Sequence, residues 1–476
     1  MSKLSNYASE VFFDEIIDHS NSARSGNESI ADFIQDTNIS DLSQLKSIAE
    51  ASMMDMGITF NVYSESEGTE RIIPVDIIPR TINKTDWEML ERGLKQRILT
   101  LNMFLDDIYN DQKILKDKII PREVIEESKG FLKQCMGIRP RGNVFIHITG
   151  TDLIRDNEGN FKVLEDNLRS PSGVSYMLTN REISKRIFPS LLKSSGVRSI
   201  GEYPAKLFDS LSYSSYVNNP NIVLLTPGVF NSAYFEHSYL SQQMGIELVE
   251  NSDLIVDDGF VKMRTTKGFE RVDCIYRRVD DTFLDPLHFN KDSLLGVPGL
   301  FDVYRKGNVT VANAFGTGVA DDKVVYAYVP KMIKYYLNED PIIDNVETFL
   351  CREPEAKKYV LENIEKLVVK EASEAGGYGM LIGPKSTKEE QNLFRQKIKD
   401  DPNNYIAQPT ISLSTSPCIT KDTISPRHVD LRPYIIYGKD VYVTPGGLTR
   451  VALKEGSLVV NSSQGGGSKD TWVFNK

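Results

Sequence analysis

The sequence predicts a mixed fold, α/β in its middle and α+β toward its C-terminus. Three observations predict it. Residues 221–228 (NIVLLTPG) open a β-loop-α-β order, with a helix through 233–244, a strand at 246–249 and further strands near 272–276 and 309–312. Such alternation marks a mostly parallel sheet. Residues 87–109 place Leu90, Leu94, Ile98, Leu101, Leu105 and Ile108 at three- and four-residue steps, the spacing of a helix that packs one apolar face on a sheet. After a helix at 322–337, strand and loop signals dominate at 366–370, 378–382, 405–408, 429–437 and 441–444.

The remaining elements follow in order. Residues 1–60 are polar with scattered apolar periodicity and read as helices, interrupted by a loop at 22–28 (SARSGNE). Residues 71–79 (RIIPVDIIP) are β-branched and bounded by prolines, which predicts an edge or entry strand. A strand at 144–149, a turn at 156–159 (DNEG) and a return strand at 160–164 make a hairpin. Three segments result: 1–215, which contains an acidic segment at about 144–175; 216–320, an α/β domain; and 321–476. No internal repeat of fixed period is found.

Composition narrows the class. A chain of 476 residues, 40% hydrophobic and 26% charged, has enough material for a full core without staples. Its net charge of −10 lacks the broad positive field of non-specific nucleic-acid binders. Cys135, Cys274, Cys351 and Cys418 form no C-x-x-C pair, and the five histidines form no H-x-x-x-H pair, which argues against zinc sites and disulfide frameworks. No basic stretch followed by an apolar run opens the sequence, and no run reaches the ~18 apolar residues of a membrane helix. A cytoplasmic protein that binds neither membrane nor nucleic acid is expected.

Residues 367–382 (LVVKEASEAGGYGMLI) run from a strand ending in Lys370, through a loop with Gly376, Gly377 and Gly379, into an apolar strand. Glycines let backbone N–H groups approach phosphate oxygens, and a strand-end lysine supplies a point charge. A plain hairpin loop would read the same. No Gly-Lys-Ser/Thr follows, so this is not a Walker A loop. Residues 316–318 (GTG) begin like a dinucleotide fingerprint, but Asp321 stands where the third glycine belongs. In residues 404–410 (NYIAQPT), Ile406 and Ala407 could offer backbone groups to a purine edge and Gln408 could continue the pattern. An ordinary strand end is the alternative. Arg427, Arg432 and Arg450 fall on strands, where arginine suits a bidentate grip on phosphate or carboxylate; surface ion pairs compete with that reading.

Residues 151–173 (TDLIRDNEGNFKVLEDNLRSPSG) carry the strongest signal. Asp152 and Glu165 stand 13 residues apart across a turn that can fold two strand ends together. Glu165 and Asn167 alternate by two and share a face. Asp, Glu and Asn oxygens are hard ligands suited to Mg²⁺ bridging nucleotide phosphates. A solvated acidic hairpin is the competing reading.

Together these pieces resemble the ATP-grasp superfamily. The resemblance implies that Lys323, in VADDK, and Lys370 bind phosphate, with the Gly376–Gly377–Gly379 loop beside them. It implies a hinge at Ile406, Ala407 and Gln408 against adenine, a D-x-R strand at Asp430 and Arg432, and a late Arg450 and Asn461 before Gly465 and Gly466. In the family's usual order the acid and E-x-N segment come last; here they stand first, at Asp152, Glu165 and Asn167. That is a circular permutation, which leaves packing intact. The stretches GVFNSAYFEH, YRRVDD, GTGVADDK, VDLRPY and NSSQGGGSKDTW resemble the circularly permuted ATP-grasp family related to the synthetase domain of glutathionylspermidine synthase. The implied fold is a circularly permuted ATP-grasp fold with a preATP-grasp-like α/β substrate domain. No separate amidase domain is evident, so amidase activity and the glutathione and spermidine pair are not carried over.

The resemblance implies an ATP- and Mg²⁺-dependent ligase that joins a carboxylate to an amine through an acyl phosphate. Asp152, Glu165 and Asn167 would hold Mg²⁺, Lys323 and Lys370 the phosphates, and Arg450 with Arg432 would stabilise charge at the acyl centre. The α/β segment is the expected substrate side. Asn231 and Ser232 would stand at a helix N-terminus, and Arg277 and Arg278 would grip a substrate carboxylate, unless they pair with Asp280 or Asp281. A peptide or protein tail as acceptor, a phosphotransferase, and a nucleotide-binding scaffold without catalysis are the alternatives.

Overall fold

The computed structural model describes residues 7, 12–64, 67–372, 379–420, 423–457, 460 and 466–475. A ten-stranded sheet forms its centre. Along its main path the order is Asp344–Asn345, Phe161–Asn167, Ile148–Arg155, Thr423–Arg432, Leu448–Val451, Gly467–Val473 and Val75–Ile82. The path thus draws strands from both the first and the third sequence segments. Val75–Ile82 lies at the sheet edge, parallel to Gly467–Val473, and the register slips near Pro79. The edge is where a proline, which cannot donate to a ladder, is tolerated.

The helix predicted at 87–109 spans Lys84–Tyr109. Asn83 caps it by accepting a hydrogen bond from the Asp86 amide, and its apolar stripe is buried from Trp87 to Tyr109. The α/β segment forms a four-stranded parallel sheet in the order Thr310–Ala312, Cys274–Arg277, Ile222–Leu225 and Glu247–Val249. A smaller sheet (Phe349–Leu350, Tyr405–Pro409, Leu367–Glu371, Met380–Ile382) carries its own core around Cys351, Val360, Val369 and Leu381. This lobe and the large sheet face each other across the main cavity.

Three expected elements need correction, and one sheet was not expected. The strand expected at 144–149 begins at Ile148, because Asn102 Oδ1 accepts the Phe145 and Ile146 amides that a ladder would have used. The strand expected at 429–437 is split at Pro433 into Thr423–Arg432 and Tyr434–Tyr437. The helix expected at 322–337 divides into Lys323–Tyr326 and Val329–Leu337, with Pro330 in the first turn of the second part. The α/β segment also contains an antiparallel sheet of Leu254–Asp257, Phe260–Thr265 and Gly268–Val272 that the periodicity did not reveal. The four cysteines are buried free thiols, and no helix among the described residues is long and apolar enough to cross a membrane.

Candidate active site

A cavity of about 640 Å³ opens between the large sheet and the small lobe. Its floor is built by the Ile148–Arg155 and Phe161–Asn167 hairpin. Asp152 lies opposite Glu165 and Gly150 opposite Asn167. The register slips between Asp152 and Leu153, leaving Leu164 as an extra residue; such bulges re-aim side chains beside active sites. The acid thus sits within a strand rather than just after one.

The three expected metal residues differ in their partners. Asp152 is heavily engaged: Arg432 Nη2 donates to its Oδ2 at 2.8 Å and Arg450 Nη2 to the same oxygen at 2.7 Å, while Arg432 Nε and, at 3.5 Å, Asn167 Nδ2 donate to Oδ1. Burial alone would raise this carboxyl, but Arg432 and then Arg450 outweigh it and hold it down to about 2. Asn167 donates Nδ2 to the Gly150 carbonyl at 3.1 Å, which orients its amide and leaves Oδ1 as an acceptor. Glu165 lines the cavity with no hydrogen-bond or ion-pair partner among the described residues. Glu165 and Asn167 therefore fit a hard cation, since their oxygens remain available. Asp152 serves first as the anchor of two arginines.

Asp430 and Arg450 are directly opposed on neighbouring antiparallel strands. Arg450 Nε donates to Asp430 Oδ1 at 3.0 Å, so this arginine bridges Asp430 and Asp152. Burial pushes the Asp430 carboxyl up against the opposing pull of Arg450. The chain Asp430–Arg450–Asp152–Arg432 fixes both expected catalytic arginines on rigid strands at the cavity wall.

The small lobe contributes Lys370, whose Nζ donates to Gln408 Oε1 at 2.7 Å. Burial lowers its ammonium below the ordinary lysine range, while Glu165 pulls the other way. Lys323 lines the same cavity at the start of a short helix capped by Asp322. Lys323, Lys370, Gln408, Asp430, Arg432, Arg450, Asp152, Glu165 and Asn167 thus come together, although they span 299 positions of sequence from Asp152 to Arg450 counted inclusively.

Other expected residues are not brought there. Ile406 and Ala407 pair with Lys370 and Val369 on one side and with Leu350 and Phe349 on the other, and their side chains lie in hydrophobic cores. The central position of their strand spends the backbone groups that a purine edge would need. The cavity is lined instead by Gln408, Pro409, Thr410 and Ile411. Asn231 turns its Oδ1 back onto the Ala233 amide at 2.9 Å, and Ser232 lines a separate depression near Phe235. Arg277 is fully buried, paired with Asp281 and bonded to the Asn313 and Val279 carbonyls. Arg278 is spent on Glu236, Ser172 and the Pro171 carbonyl. Neither is available to a substrate, because Arg277 ties together parts of the α/β segment and Arg278 ties that segment to the turn at 170–173. Gly379 has φ +65°, in the left-handed region that favours glycine. Gly376, Gly377 and Asn461 lie outside the described residues.

Sequence reasoning missed Arg169, Asp280 and Asp321, which line the end of the cavity nearest the α/β segment. Arg169 continues the alternation of Glu165 and Asn167 by two, a signal the sequence carried. Its two aspartates were not readable as partners, because they arrive from distant segments.

A family model, circularly permuted ATP-grasp type 2, matches residues 79–452. The chain belongs to this family. An uncharacterized protein of Synechocystis sp. is 53% identical over 475 residues, covering 99% of each chain. An uncharacterized Mycobacterium tuberculosis protein is 52% identical over 441 residues, 91% of this chain and 79% of that one. A Frankia alni protein provisionally named glutamate–cysteine ligase 2-3 is 40% identical over 467 residues, 97% of this chain but 54% of its own length. This chain thus spans about half of that relative. A glutathione synthetase-like effector from Globodera pallida shares the fold, with a TM-score of 0.58 at 10% identity over 92% of this chain and 98% of that one.

Proposed function

We propose that this chain is an ATP- and Mg²⁺-dependent carboxylate–amine ligase that works through an acyl phosphate. The observation that carries the reading is the convergence on one cavity of two lysines, two side chains with uncommitted hard oxygens (Glu165 and Asn167) and two strand-anchored arginines. Glu165 and Asn167 would hold Mg²⁺, which supplies neutralising charge to nucleotide phosphates when bound. Lys323 and Lys370 would bind the phosphates, and an anion would restore the charge that burial disfavours on Lys370. A substrate carboxylate oxygen attacks the γ-phosphorus and ADP leaves. An amine then attacks the acyl carbon, phosphate leaves, and the amine gives up a proton. Arg450 and Arg432 would stabilise the oxyanion at the acyl carbon, held in place beforehand by Asp152 and Asp430.

The name of the Frankia relative supports an amino-acid carboxylate as the first substrate to try. The test is ADP and phosphate release from Mg·ATP with amino acids and amines in combination. Wild type should release ADP only when both partners are present, and Glu165→Gln should abolish turnover with its melting temperature unchanged. Unimpaired turnover in Glu165→Gln would remove the metal assignment. Phosphate transfer to a stable product, with none freed by amine, would favour a phosphotransferase.

A further inference from the structure

At the end of the cavity nearest the α/β segment stands Arg169. Its Nε donates to Asp321 Oδ2 at 2.7 Å and its Nη1 to Asp280 Oδ2 at 2.9 Å. Two carboxylates from separate segments thus lock the guanidinium plane. Its Nη2 donates to no described residue, and the side chain keeps 37% of its exposure on the cavity wall. Gly318 makes room for it, since a Cβ there would stand 3.3 Å from Arg169 Cδ.

The surrounding acids are committed. Asp280 Oδ1 accepts the Thr282 amide and hydroxyl, and Asp321 Oδ1 accepts the Leu168 amide. Asp322 accepts the Val324 amide and the Ser128 hydroxyl. Each of these acids already accepts a hydrogen bond at both of its oxygens, while the Arg169 Nη2 donor is held in place and turned to no described partner, so the donor left over suits an anion. Pre-organised arginine is suited to a carboxylate because little rotamer entropy is left to lose on binding.

We infer that Arg169 binds a carboxylate of the substrate, one distinct from the carboxylate to be activated, so that the ligase takes a dicarboxylic or peptide-like acid. This rests on the function proposed above. Arg277 and Arg278, to which the sequence assigned this grip, are buried in structural pairs, while Arg169 reaches the cavity from the same side.

The test is thermal shift of the full chain, first with Mg·ATP and then with added L-glutamate, its α-carboxamide or γ-glutamyl dipeptides. Wild type should respond to a free-carboxylate compound and at least tenfold more weakly to the matching amide. Arg169→Met should lose the carboxylate response and keep the Mg·ATP response. Arg169→Lys, which retains charge but not the fork, should fall between them and guards against simple misfolding. A carboxylate response retained in Arg169→Met, an equal response to acid and amide, or no response of wild type to any of these acids would overturn the inference. Loss of the Mg·ATP shift in Arg169→Met would also overturn it by assigning Arg169 to phosphate. Failure of wild type to respond to Mg·ATP would strike the proposed function instead, and the carboxylate arm run without nucleotide would still read Arg169.

Discussion

Arg450 shows how a single side chain is made useful. Its guanidinium spans two acids on different strands, so it cannot rotate away from the cavity. Lysine carries the charge but cannot span both partners. Arg450→Lys should lower kcat by about 100-fold while changing the KM for ATP only a few-fold, the pattern of a group that acts on the transition state. Steady-state kinetics with the identified substrates checks this, and a pure KM effect would contradict it. His147 offers a second test. Burial pushes its imidazole down to about 3. Below about pH 6.5 the unfolded chain takes up this proton and the native chain does not, so its contribution to stability falls as pH falls from 6.5 toward 3. The slope is about 1.4 kcal/mol per pH unit over that window. Asp14, which burial raises to about 6, has the opposite sign between its ordinary value and pH 6. His147→Gln should therefore flatten the acid limb of a urea-midpoint-versus-pH curve, and an unchanged limb would show that His147 does not titrate as described.

Among the elements, the Gly316–Thr317–Gly318 stretch gains a meaning other than dinucleotide binding. Gly130 and Gly318 lie backbone to backbone on the cavity wall, and a Cβ on Gly130 would stand 2.2 Å from the Gly318 carbonyl carbon. Backbone cannot yield as a side-chain tip can. Gly130→Ala should cost about 1–3 kcal/mol of stability and weaken the Mg·ATP thermal shift. Gly201→Ala, where a Cβ meets nothing nearer than 3.7 Å, should stay within about 0.5 kcal/mol in the same denaturation experiment. The Ile148–Asn167 hairpin makes the same point about legibility. Its acids and their spacing were readable, but the bulge at Leu164 that sets Asp152 opposite Glu165 was not, because register is decided by neighbouring strands.

For the whole molecule, Glu236 is the joint between the α/β segment and the cavity. Its Oε2 accepts the Gly173 and Ser175 amides and the Ser175 hydroxyl, and its Oε1 accepts from Arg278. From the other side, Tyr434 and Arg432 donate to the Ser172 carbonyl. The turn at 170–173 is thereby fixed by two regions of the molecule at once. Arg278→Met alone should cost about 3–5 kcal/mol, because Glu236 is left as an unpaired buried charge. Pairing it with Glu236→Gln should recover part of that loss in urea unfolding. A double variant no better than the single would show that the ion pair is not the joint.

The sequence by itself determined the chemistry that could be present. Acids at Asp152 and Glu165 on either side of a turn, lysines at Lys323 and Lys370, and arginines at Arg432 and Arg450 are residue types in local patterns, and local patterns survive without a fold. The permuted order of the ATP-grasp segments was legible for the same reason. Only the tertiary structure decided which of these groups remain available. Asp152 is occupied by arginines, Ile406 and Ala407 are buried in the middle of a sheet, and Arg277 and Arg278 are consumed by buried partners. Availability depends on which donors and acceptors meet across hundreds of residues, and a linear chain does not state that. Arg169 was passed over for that reason: its two locking aspartates, Asp280 and Asp321, come beside it only when the segments pack.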